Sequence, residues 1–378
     1  MAMKYYIAVF GCQMNVSDGE RVSAVLAAKK YTRTLNMAEA DLVLIVMCSV
    51  RQSAVDRIFG LAEKIKRLKT TNYKLQTILT GCILKKDKKT FSGLFDHILN
   101  ISELTNIKRA NKFLIIKNSV GERNRAYIPI SNGCNNFCSY CVVPYTRGKL
   151  VCRDHKEILK EARALINPPS PRLRRAREIW LLGQNVNDYS SPTDKSIDFP
   201  ELLKMMNSLP GNFKIFFMSP NPKNFSDKLI KTMKACKKFS RYLNLPIQSG
   251  DNEILKKMNR PYTAEQYIAL VKKIRKAIPS INLSTDVIVG FPGETKKQFE
   301  NTVKLFKWAK FDHGYISRNS PRPGPAAAKL KDKPIRWITE DAITFLKREV
   351  SRGNKYDAVV MDPPAFGHGP DGEVWKFD

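Results

Sequence analysis

Three cysteines stand close together in one polar stretch, at Cys134, Cys138 and Cys141. Thiolates at this spacing converge on one metal centre only where the backbone wraps around it, and the adjacent Gly133 and Asn135 suit such a loop. Structural zinc usually takes four protein ligands, so a zinc site here needs one ligand from elsewhere. An iron–sulfur cluster with one open iron matches three thiolates better. The alternative is three ordinary buried or zinc-bound cysteines.

Apolar runs alternate with helical patterns in the first third of the chain. The runs, which predict strands, cover residues 5–10, 41–47 and 75–80, and the helical patterns lie around 18–30 and 52–69. This alternation indicates a parallel sheet with crossover helices, and therefore an α/β fold.

Each of the three predicted strands ends close to a cysteine, namely Cys12, Cys48 or Cys82. The carboxyl ends of parallel strands meet at one edge of the sheet, which is where α/β sheets bind ligands. We therefore expect the three thiols to gather there and to hold a second metal centre. The alternative is that each is an inert core thiol, as single cysteines usually are.

The composition indicates which class of partner the protein binds and in which cellular compartment it lies. The 378 residues include 65 Lys and Arg against 35 Asp and Glu, a net charge of +30. This excess predicts a polyanionic partner, most simply nucleic acid, with lysine spread over solvated faces as the alternative. No run approaches the ~18 apolar residues of a membrane span, and no targeting segment is visible. Eight cysteines in a chain this long predict metal ligands in a reducing compartment, so we expect a cytoplasmic protein with no membrane association.

The central cysteine loop resembles the signature of radical S-adenosylmethionine enzymes, whose open iron binds the amino and carboxylate groups of that cofactor. Residues 11–15 (Gly-Cys-Gln-Met-Asn), 48–51 (Cys-Ser-Val-Arg) and 81–82 (Gly-Cys) resemble the cysteine motifs of the methylthiotransferase family. The residues after the first two of these cysteines are similar to the branch that acts on tRNA isopentenyladenosine. Residues 142–148 (Val-Val-Pro-Tyr-Thr-Arg-Gly) extend the match beyond the central loop.

The resemblance implies two 4Fe–4S clusters, an auxiliary cluster on the first three cysteines and a radical cluster on the second three. It also implies S-adenosyl-L-methionine as cofactor, tRNA as substrate, an electron donor such as flavodoxin or ferredoxin, and a monomeric enzyme. The implied reaction adds a methylthio group to carbon 2 of N6-isopentenyladenosine beside the anticodon. Acid–base groups cannot break that unactivated C–H bond at neutral pH, so the cofactors must supply the chemistry.

Six further strands alternate with helices over residues 126–320. The predicted strands cover residues 126–130, 178–182, 214–218, 242–246, 283–289 and 315–318, and the predicted helices cover 155–166, 199–208, 225–237, 264–277 and 295–309. Six parallel β/α units suit an open, partial (β/α)6 barrel, as the family has. Functional residues are then expected at the carboxyl ends of the strands.

Residues that follow the later strands are candidates for contacts with S-adenosylmethionine. Gln184 follows the second strand of the predicted barrel, Gln248 and Ser249 follow the fourth, and Gly290 and Gly293 follow the fifth. The glutamine and serine side chains offer hydrogen bonds to a sulfonium nucleoside, and the glycines let the backbone approach an adenine. An ordinary turn is the alternative at each glycine.

Other residues carry weaker signals. Arg260 lies in a segment similar to the family's Asn-Arg-Gly, with Pro261 as a departure, and it meets either a carboxylate or phosphate or only solvent. The basic, proline-rich residues 167–177 either touch RNA phosphates or form a solvated loop. Cys152 and Cys236 match no cluster motif, and we interpret them as plain thiols.

The resemblance ends near residue 330, where the family continues with a small RNA-binding β-barrel of the TRAM type that we expect to be absent here. Residues 337–346 instead predict a strand end and an amphipathic helix, and residues 356–367 predict a buried strand ending in an Asp-Pro-Pro turn, similar to a fragment of Rossmann-type RNA methyltransferases. About fifty residues cannot build that fold alone, so we expect no methyltransferase activity. The expected domains are 1–115, 116–330 and 331–378.

Three alternatives for the function remain at this stage. The first is methylthiolation of a ribosomal-protein aspartate, the second is a non-catalytic, metal-stabilised RNA-binding protein, and the third is an inactive fusion product.

Overall fold

A computed structural model describes residues 3–104, 124–168 and 174–330, together with the short stretches 351–353, 366–368 and 374–376. Met1–Lys331 form one compact unit and Asp332–Asp378 form a second. The domain division expected at residue 115 lies outside the described residues, as do the tail helix predicted at 337–346 and the tail strand up to residue 365.

The N-terminal part of the first unit is built on a five-stranded parallel sheet. Its strands are β1 (Lys4–Val9), β2 (Thr32–Arg33), β3 (Leu42–Cys48), β4 (Gln76–Cys82) and β5 (His97–Ile98). They lie in the order β2-β1-β3-β4-β5, and every neighbouring pair is parallel. The central strand β3 is buried along its whole length, as a strand covered on both faces should be.

Helices cover the two faces of this sheet. They are α1 (Gln13–Ala28), α2 (Gln52–Thr71), α3 (Lys85–Phe91) and α4 (Ile101–Leu104). Val43 and Ile45 of β3 belong to the core that contains residues of α2, whereas Leu44 and Val46 belong to the core that contains residues of α1. This alternation is the two-residue period of a strand. The predicted parallel α/β sheet is confirmed.

The next part of the chain contains six parallel strands that form an open barrel and a short antiparallel pair of strands that lies outside it. The strands of this region are β6 (Arg125–Pro129), β7 (Ser131–Asn132), β8 (Val151–Cys152), β9 (Glu178–Leu182), β10 (Lys214–Phe217), β11 (Tyr242–Asn244), β12 (Asn282–Val289) and β13 (His313–Arg318). One arc has the order β10-β9-β6 and the other β11-β12-β13. A parallel bridge between Ile215 and Phe239 connects the arcs. The antiparallel pair β7 and β8 flanks the central cysteine loop.

Helices follow the barrel strands and supply much of the outer layer. They are α5 (Val143–Thr146), α6 (His155–Ile166), α7 (Phe199–Asn207), α8 (Asp227–Ala235), α9 (Asn252–Lys257), α10 (Ala264–Ala277) and α11 (Lys296–Ala309). Thr263 and Thr295 begin α10 and α11 with capping boxes, in which Gln266 and Gln298 complete the reciprocal hydrogen bonds. The predicted partial barrel is confirmed, but the short helices α5 and α9 were not predicted.

A buried ionic contact joins the N-terminal sheet to the barrel. Arg21 of α1 binds Glu161 of α6 at 2.9 Å, and Arg153 binds the same carboxylate at 2.7 Å. Both arginine side chains are almost inaccessible. Because two cations share one buried carboxylate, the two parts of this unit are held in a fixed relation at α1 and α6.

In the second unit, the described strands β14 (Phe366–His368) and β15 (Val374–Lys376) form an antiparallel pair. Among the helices the structure describes, none combines the length and the apolar character that crossing a membrane requires.

Candidate cluster and cofactor site

Cys12, Cys48 and Cys82, here called the auxiliary trio, lie at one edge of the N-terminal sheet. Cys48 and Cys82 are the last residues of β3 and β4 and are register partners. Cys12 is the N-cap residue of α1, just after β1. Cys48 and Cys82 are buried, whereas Cys12 is exposed. The thiols therefore share the predicted edge, and their role as ligands stays a prediction.

The thiols of the auxiliary trio shift one another's pKa. A hydrogen bond between Cys48 and Cys82 is the largest cause for both residues: it lowers the pKa of Cys48 and, together with burial, raises the pKa of Cys82 well above its ordinary value. Desolvation by the surrounding protein raises the pKa of the Cys12 thiol, and the electrostatic effect of Cys82 raises it further. A thiolate in the pair of Cys48 and Cys82 is thus stabilised by the hydrogen bond from its neighbour.

The side chain of Asn15 connects several segments at this edge of the sheet through hydrogen bonds. Its Nδ2 donates to the backbone oxygens of Phe10 and Met47, both at 2.8 Å. Its Oδ1 accepts from Cys82 Sγ at 3.3 Å and from Nη2 of Arg147 at 2.9 Å. The Gly-Cys-Gln-Met-Asn motif contains Asn15 but does not predict these contacts.

Cys134, Cys138 and Cys141, here called the radical trio, lie in the loop between β7 and β8. The backbone nitrogen of Cys134 donates to the Gly148 oxygen at 3.2 Å, and that of Cys141 donates to the Cys138 oxygen at 3.0 Å. All three residues line one cavity. Burial raises the pKa of Cys141 to about 12.

The segment after α9 holds the radical loop from outside. The backbone nitrogen of Ser139 donates to the Met258 oxygen at 3.0 Å, and Nη1 of Arg260 donates to Cys138 Sγ at 3.4 Å. Arg260 is only 9% exposed, so its interpretation as a solvated arginine is wrong. Arg260 contacts the Cys138 thiol and also lines the cavity described below, so its contact with a carboxylate or phosphate stays a prediction.

The cavity has a volume of about 330 Å³ and opens at the carboxyl ends of the barrel strands. Its wall includes the radical trio, Asp286 of β12, and Asn221 from the segment after β10. Val50 and Arg51, from the segment after Cys48, complete the wall on the side of the N-terminal sheet. The radical trio and the segment next to the auxiliary trio therefore face a common space.

Two of the five predicted cofactor contacts lie in this wall. Gln184 and Gln248 line the cavity. Within the described chain, the wall does not include the other three residues. Ser249 is buried and accepts from the Asp251 backbone nitrogen at 3.2 Å. The Gly290 nitrogen donates to Glu294 at 2.6 Å, and Gly293 lies in a turn with a positive φ of 77°.

The residues around both trios fit the predicted groups. Arginine side chains donate to a sulfur of each trio, at Cys82 and at Cys138, and such donors stabilise cluster thiolates. The Oε1 atom of Gln184 is buried and has no hydrogen-bond partner among the described residues, which suits an acceptor for a bound ligand. In the described part of the chain, no three cysteine, histidine or carboxylate residues are grouped so as to hold a single metal ion. In a four-iron cluster, each thiolate binds a different iron.

Sequence reasoning missed Asp286 as a residue of the site. Burial raises the pKa of its carboxyl, while the Asn244 amide, at 2.9 Å, and Arg51 act in the opposite direction. Its position in the fifth barrel strand, just before the glycine-containing turn, was the available signal.

Family models match both parts of the first unit. The model described as the Radical SAM superfamily matches residues 128–306, and the Uncharacterized protein family UPF0004 matches residues 4–102. The open barrel and the three-cysteine loop, with this match, define a radical S-adenosylmethionine enzyme.

Curated relatives narrow this class. A tRNA-2-methylthio-N(6)-dimethylallyladenosine synthase of Clostridium novyi is 38% identical over 87% of this chain and 77% of its own length. The protein of the same name from Alkaliphilus oremlandii is 37% identical over 96% and 83%, respectively. The chain belongs to the methylthiotransferase family of radical S-adenosylmethionine enzymes.

Solved structures share the fold at low identity. The apo form of OxsB, a cobalamin-dependent S-adenosylmethionine radical enzyme, matches 81% of this chain with a TM-score of 0.56 and 12% identity. The chain spans 52% of that protein. At this identity, the likeness concerns the fold alone.

Proposed function

We propose that this chain is a tRNA methylthiotransferase that converts N6-isopentenyladenosine next to the anticodon to its 2-methylthio derivative. The observation that carries the proposal is the cavity whose wall contains both the radical trio and the segment after Cys48. The activity for which the relatives from Clostridium novyi and Alkaliphilus oremlandii are named supports the substrate. A net charge of +30 favours a polyanionic partner.

In this proposal, Cys134, Cys138 and Cys141 hold a radical 4Fe–4S cluster. When bound, this cluster and S-adenosylmethionine supply the one-electron chemistry that an unactivated C–H bond requires. Arg260 orients the Cys138 sulfur, and Ser139 fixes the loop to the segment after α9. These contacts hold the ligands in place before substrate binds, which is how a protein contributes to such chemistry.

The cavity wall supplies the remaining contacts. The free Oε1 of Gln184 accepts a hydrogen bond from an amino group of the cofactor, and Gln248 contributes a second polar side chain. Asp286 is placed to accept from a hydroxyl or amino group of a bound nucleoside. Together these residues orient a flipped-out base beside the radical trio. For Ser249, Gly290 and Gly293 we retain only an indirect role, because each supports the turn that carries it.

We further propose that Cys12, Cys48 and Cys82 hold the auxiliary 4Fe–4S cluster, which provides the site for sulfur. Flavodoxin or ferredoxin as electron donor, a monomeric state and a cytoplasmic location complete the proposal. Anaerobic reconstitution followed by iron analysis tests the cluster count, with about eight irons per chain expected and zinc expected to be absent. About four irons would reject one of the two clusters.

The deciding experiment measures modified nucleosides by mass spectrometry in tRNA from cells with and without this gene. Loss of the 2-methylthio nucleoside on deletion is the expected result. In parallel, the reconstituted enzyme receives either tRNA or the ribosomal protein. Modification of the protein alone would replace the proposal with aspartate methylthiolation.

Cys138→Ala tests the radical trio directly. We expect this variant to form no 5′-deoxyadenosine, because one iron of the cluster loses its thiolate. Cys152→Ala is the matched control, since Cys152 lies in β8 outside both trios, and it should retain wild-type production. Continued production by Cys138→Ala would reject the ligand role of this cysteine.

A further inference from the structure

Arg147 connects the two cysteine trios. It follows α5, a few residues beyond Cys141 in the radical loop, but its side chain reaches the edge of the N-terminal sheet. Its Nε donates to Cys82 Sγ at 2.9 Å. Its Nη2 donates to Asn15 Oδ1 at 2.9 Å and to Asp18 Oδ2 at 2.6 Å.

The guanidinium group of Arg147 is also held on the barrel side. Its Nη1 donates to Oδ1 of Asn132 at 3.0 Å, and Asn132 ends β7, just before the radical loop. Four hydrogen bonds therefore fix the planar group, which has five N–H donors in total. The side chains of Arg147 and Asp18 are 10% and 1% exposed, so solvent competes little for these contacts.

The acceptors are themselves fixed. Asn15 cannot turn its amide, because its Nδ2 already donates to Phe10 and Met47. Cys82 is held by its register pairing with Cys48 at the ends of two central strands. A lysine can supply the charge at position 147 but not this fork of donors. The geometry thus requires an arginine.

We propose that Arg147 is a positioning residue that orients the Cys82 sulfur and sets the reduction potential of the auxiliary cluster from the radical loop. The inference rests on the auxiliary cluster of the proposed function. A cation that donates a hydrogen bond to a cluster thiolate stabilises the reduced cluster, which carries more negative charge. Arg147 therefore raises the potential of the auxiliary cluster, and a change in the radical loop reaches that cluster through this side chain.

The test uses full-length protein with Cys134, Cys138 and Cys141 replaced by Ala, so that only the auxiliary cluster can assemble. After anaerobic reconstitution, iron content and the midpoint potential from a redox titration monitored by electron paramagnetic resonance are measured. Arg147→Gln removes the charge and most of the donors, whereas Arg147→Lys keeps the charge alone. Lys149→Gln removes one positive charge from an exposed residue of the same loop and is the control.

We expect Arg147→Gln to shift the midpoint to a more negative potential, Arg147→Lys to shift it less, and Lys149→Gln to leave it unchanged. If Arg147→Gln does not retain iron, Arg147→Lys becomes the deciding variant. A shift of its midpoint to a more negative potential supports the inference. An unchanged potential in the iron-loaded Arg147 variants overturns it, and so does an equal shift in the control. Absence of iron from the parent background would reject the auxiliary cluster itself and the inference with it.

Discussion

Buried arginines act on sulfur in both trios. Arg147 donates to Cys82 and Arg260 donates to Cys138. Burial lowers the pKa of both arginines, but the groups around them more than offset this effect, and both pKa values lie above the ordinary value. The largest opposing contributions come from the Asp18 carboxylate at Arg147 and from the Tyr140 hydroxyl at Arg260. Both arginines therefore stay cationic, so each of these sulfurs lies beside a permanent positive charge.

A first prediction concerns Cys141 in the protein without clusters. Because burial raises the pKa of this thiol to about 12, its thiolate fraction is small at neutral pH and grows with every pH unit up to that value. The rate of its alkylation by iodoacetamide should therefore rise about tenfold per pH unit from about pH 7 to about pH 10. Peptide mass spectrometry of the quenched reaction measures this rate at Cys141 alone.

A short unfolded peptide that contains the same cysteine provides the comparison, since its rate should level off near an ordinary thiol pKa of about 8.5. If the rate at Cys141 in the folded protein levels off at the same pH as in the peptide, the thiol is not shielded as the structure indicates. Burial of Cys141 by the loop would then not raise the pKa of this thiol.

At the scale of elements, each cysteine trio depends on a glycine that allows two backbone segments to approach closely. Gly81 has a φ of 110°, and a Cβ there would lie 2.3 Å from the Met47 oxygen. Gly133 has a φ of 81°, and a Cβ there would lie 2.2 Å from the Lys149 oxygen. Both obstacles are backbone atoms, which cannot move aside as a side chain can. Gly81 adjoins Cys82 and Gly133 adjoins Cys134.

The second prediction follows from these positions. Gly81→Ala separates β3 from β4 beside Cys82 and should remove the auxiliary cluster, whereas Gly133→Ala should remove the radical cluster. Each variant should retain about four of about eight irons per chain. Production of 5′-deoxyadenosine should survive in Gly81→Ala and disappear in Gly133→Ala. Iron analysis and single-turnover product assays on reconstituted protein measure both effects.

Gly60→Ala is the control for this pair. Gly60 lies inside α2, and a Cβ there meets nothing within 4 Å, so the change should stabilise the helix by up to about 1 kcal/mol and leave the iron content intact. Loss of both clusters in Gly81→Ala would contradict the separate dependence of each trio on its own glycine.

The elements that the sequence predicted are those with a long apolar signal. The helices at 155–166 and 264–277 and the strand at 178–182 have the predicted bounds, because their alternation with neighbouring elements was regular. The helix α9 was missed because its six residues are too few to show a helical period. Spacing likewise revealed the cysteines but not Arg147, whose contacts join segments more than a hundred residues apart.

At the scale of the whole molecule, the site needs two α/β parts that keep their relation. The first unit, Met1–Lys331, contains both parts. Arg322, which follows β13, donates to the Ser49 oxygen at 2.9 Å and pairs with Asp87 of α3. Arg51 donates to Ser317 at 2.7 Å. Contacts from the barrel thus surround the segment after Cys48, on which the shared cavity wall depends.

The third prediction concerns Glu161, which binds Arg21 from the N-terminal part and Arg153 from the barrel. Glu161→Gln keeps the shape of the side chain but removes the carboxylate charge that the two buried arginines share. Because an uncompensated buried charge is costly, the free energy of unfolding should fall by about 3–5 kcal/mol. Glu157→Gln makes the same change in the same helix at a less buried position, and should cost less than about 1 kcal/mol. Urea unfolding of both variants, followed by far-ultraviolet circular dichroism, measures the difference. If Arg21 and Arg153 hold the two parts together through this carboxylate, we expect one unfolding transition in the wild type and two in Glu161→Gln. Equal losses of free energy in the two variants would show that α1 and α6 are held by apolar packing alone.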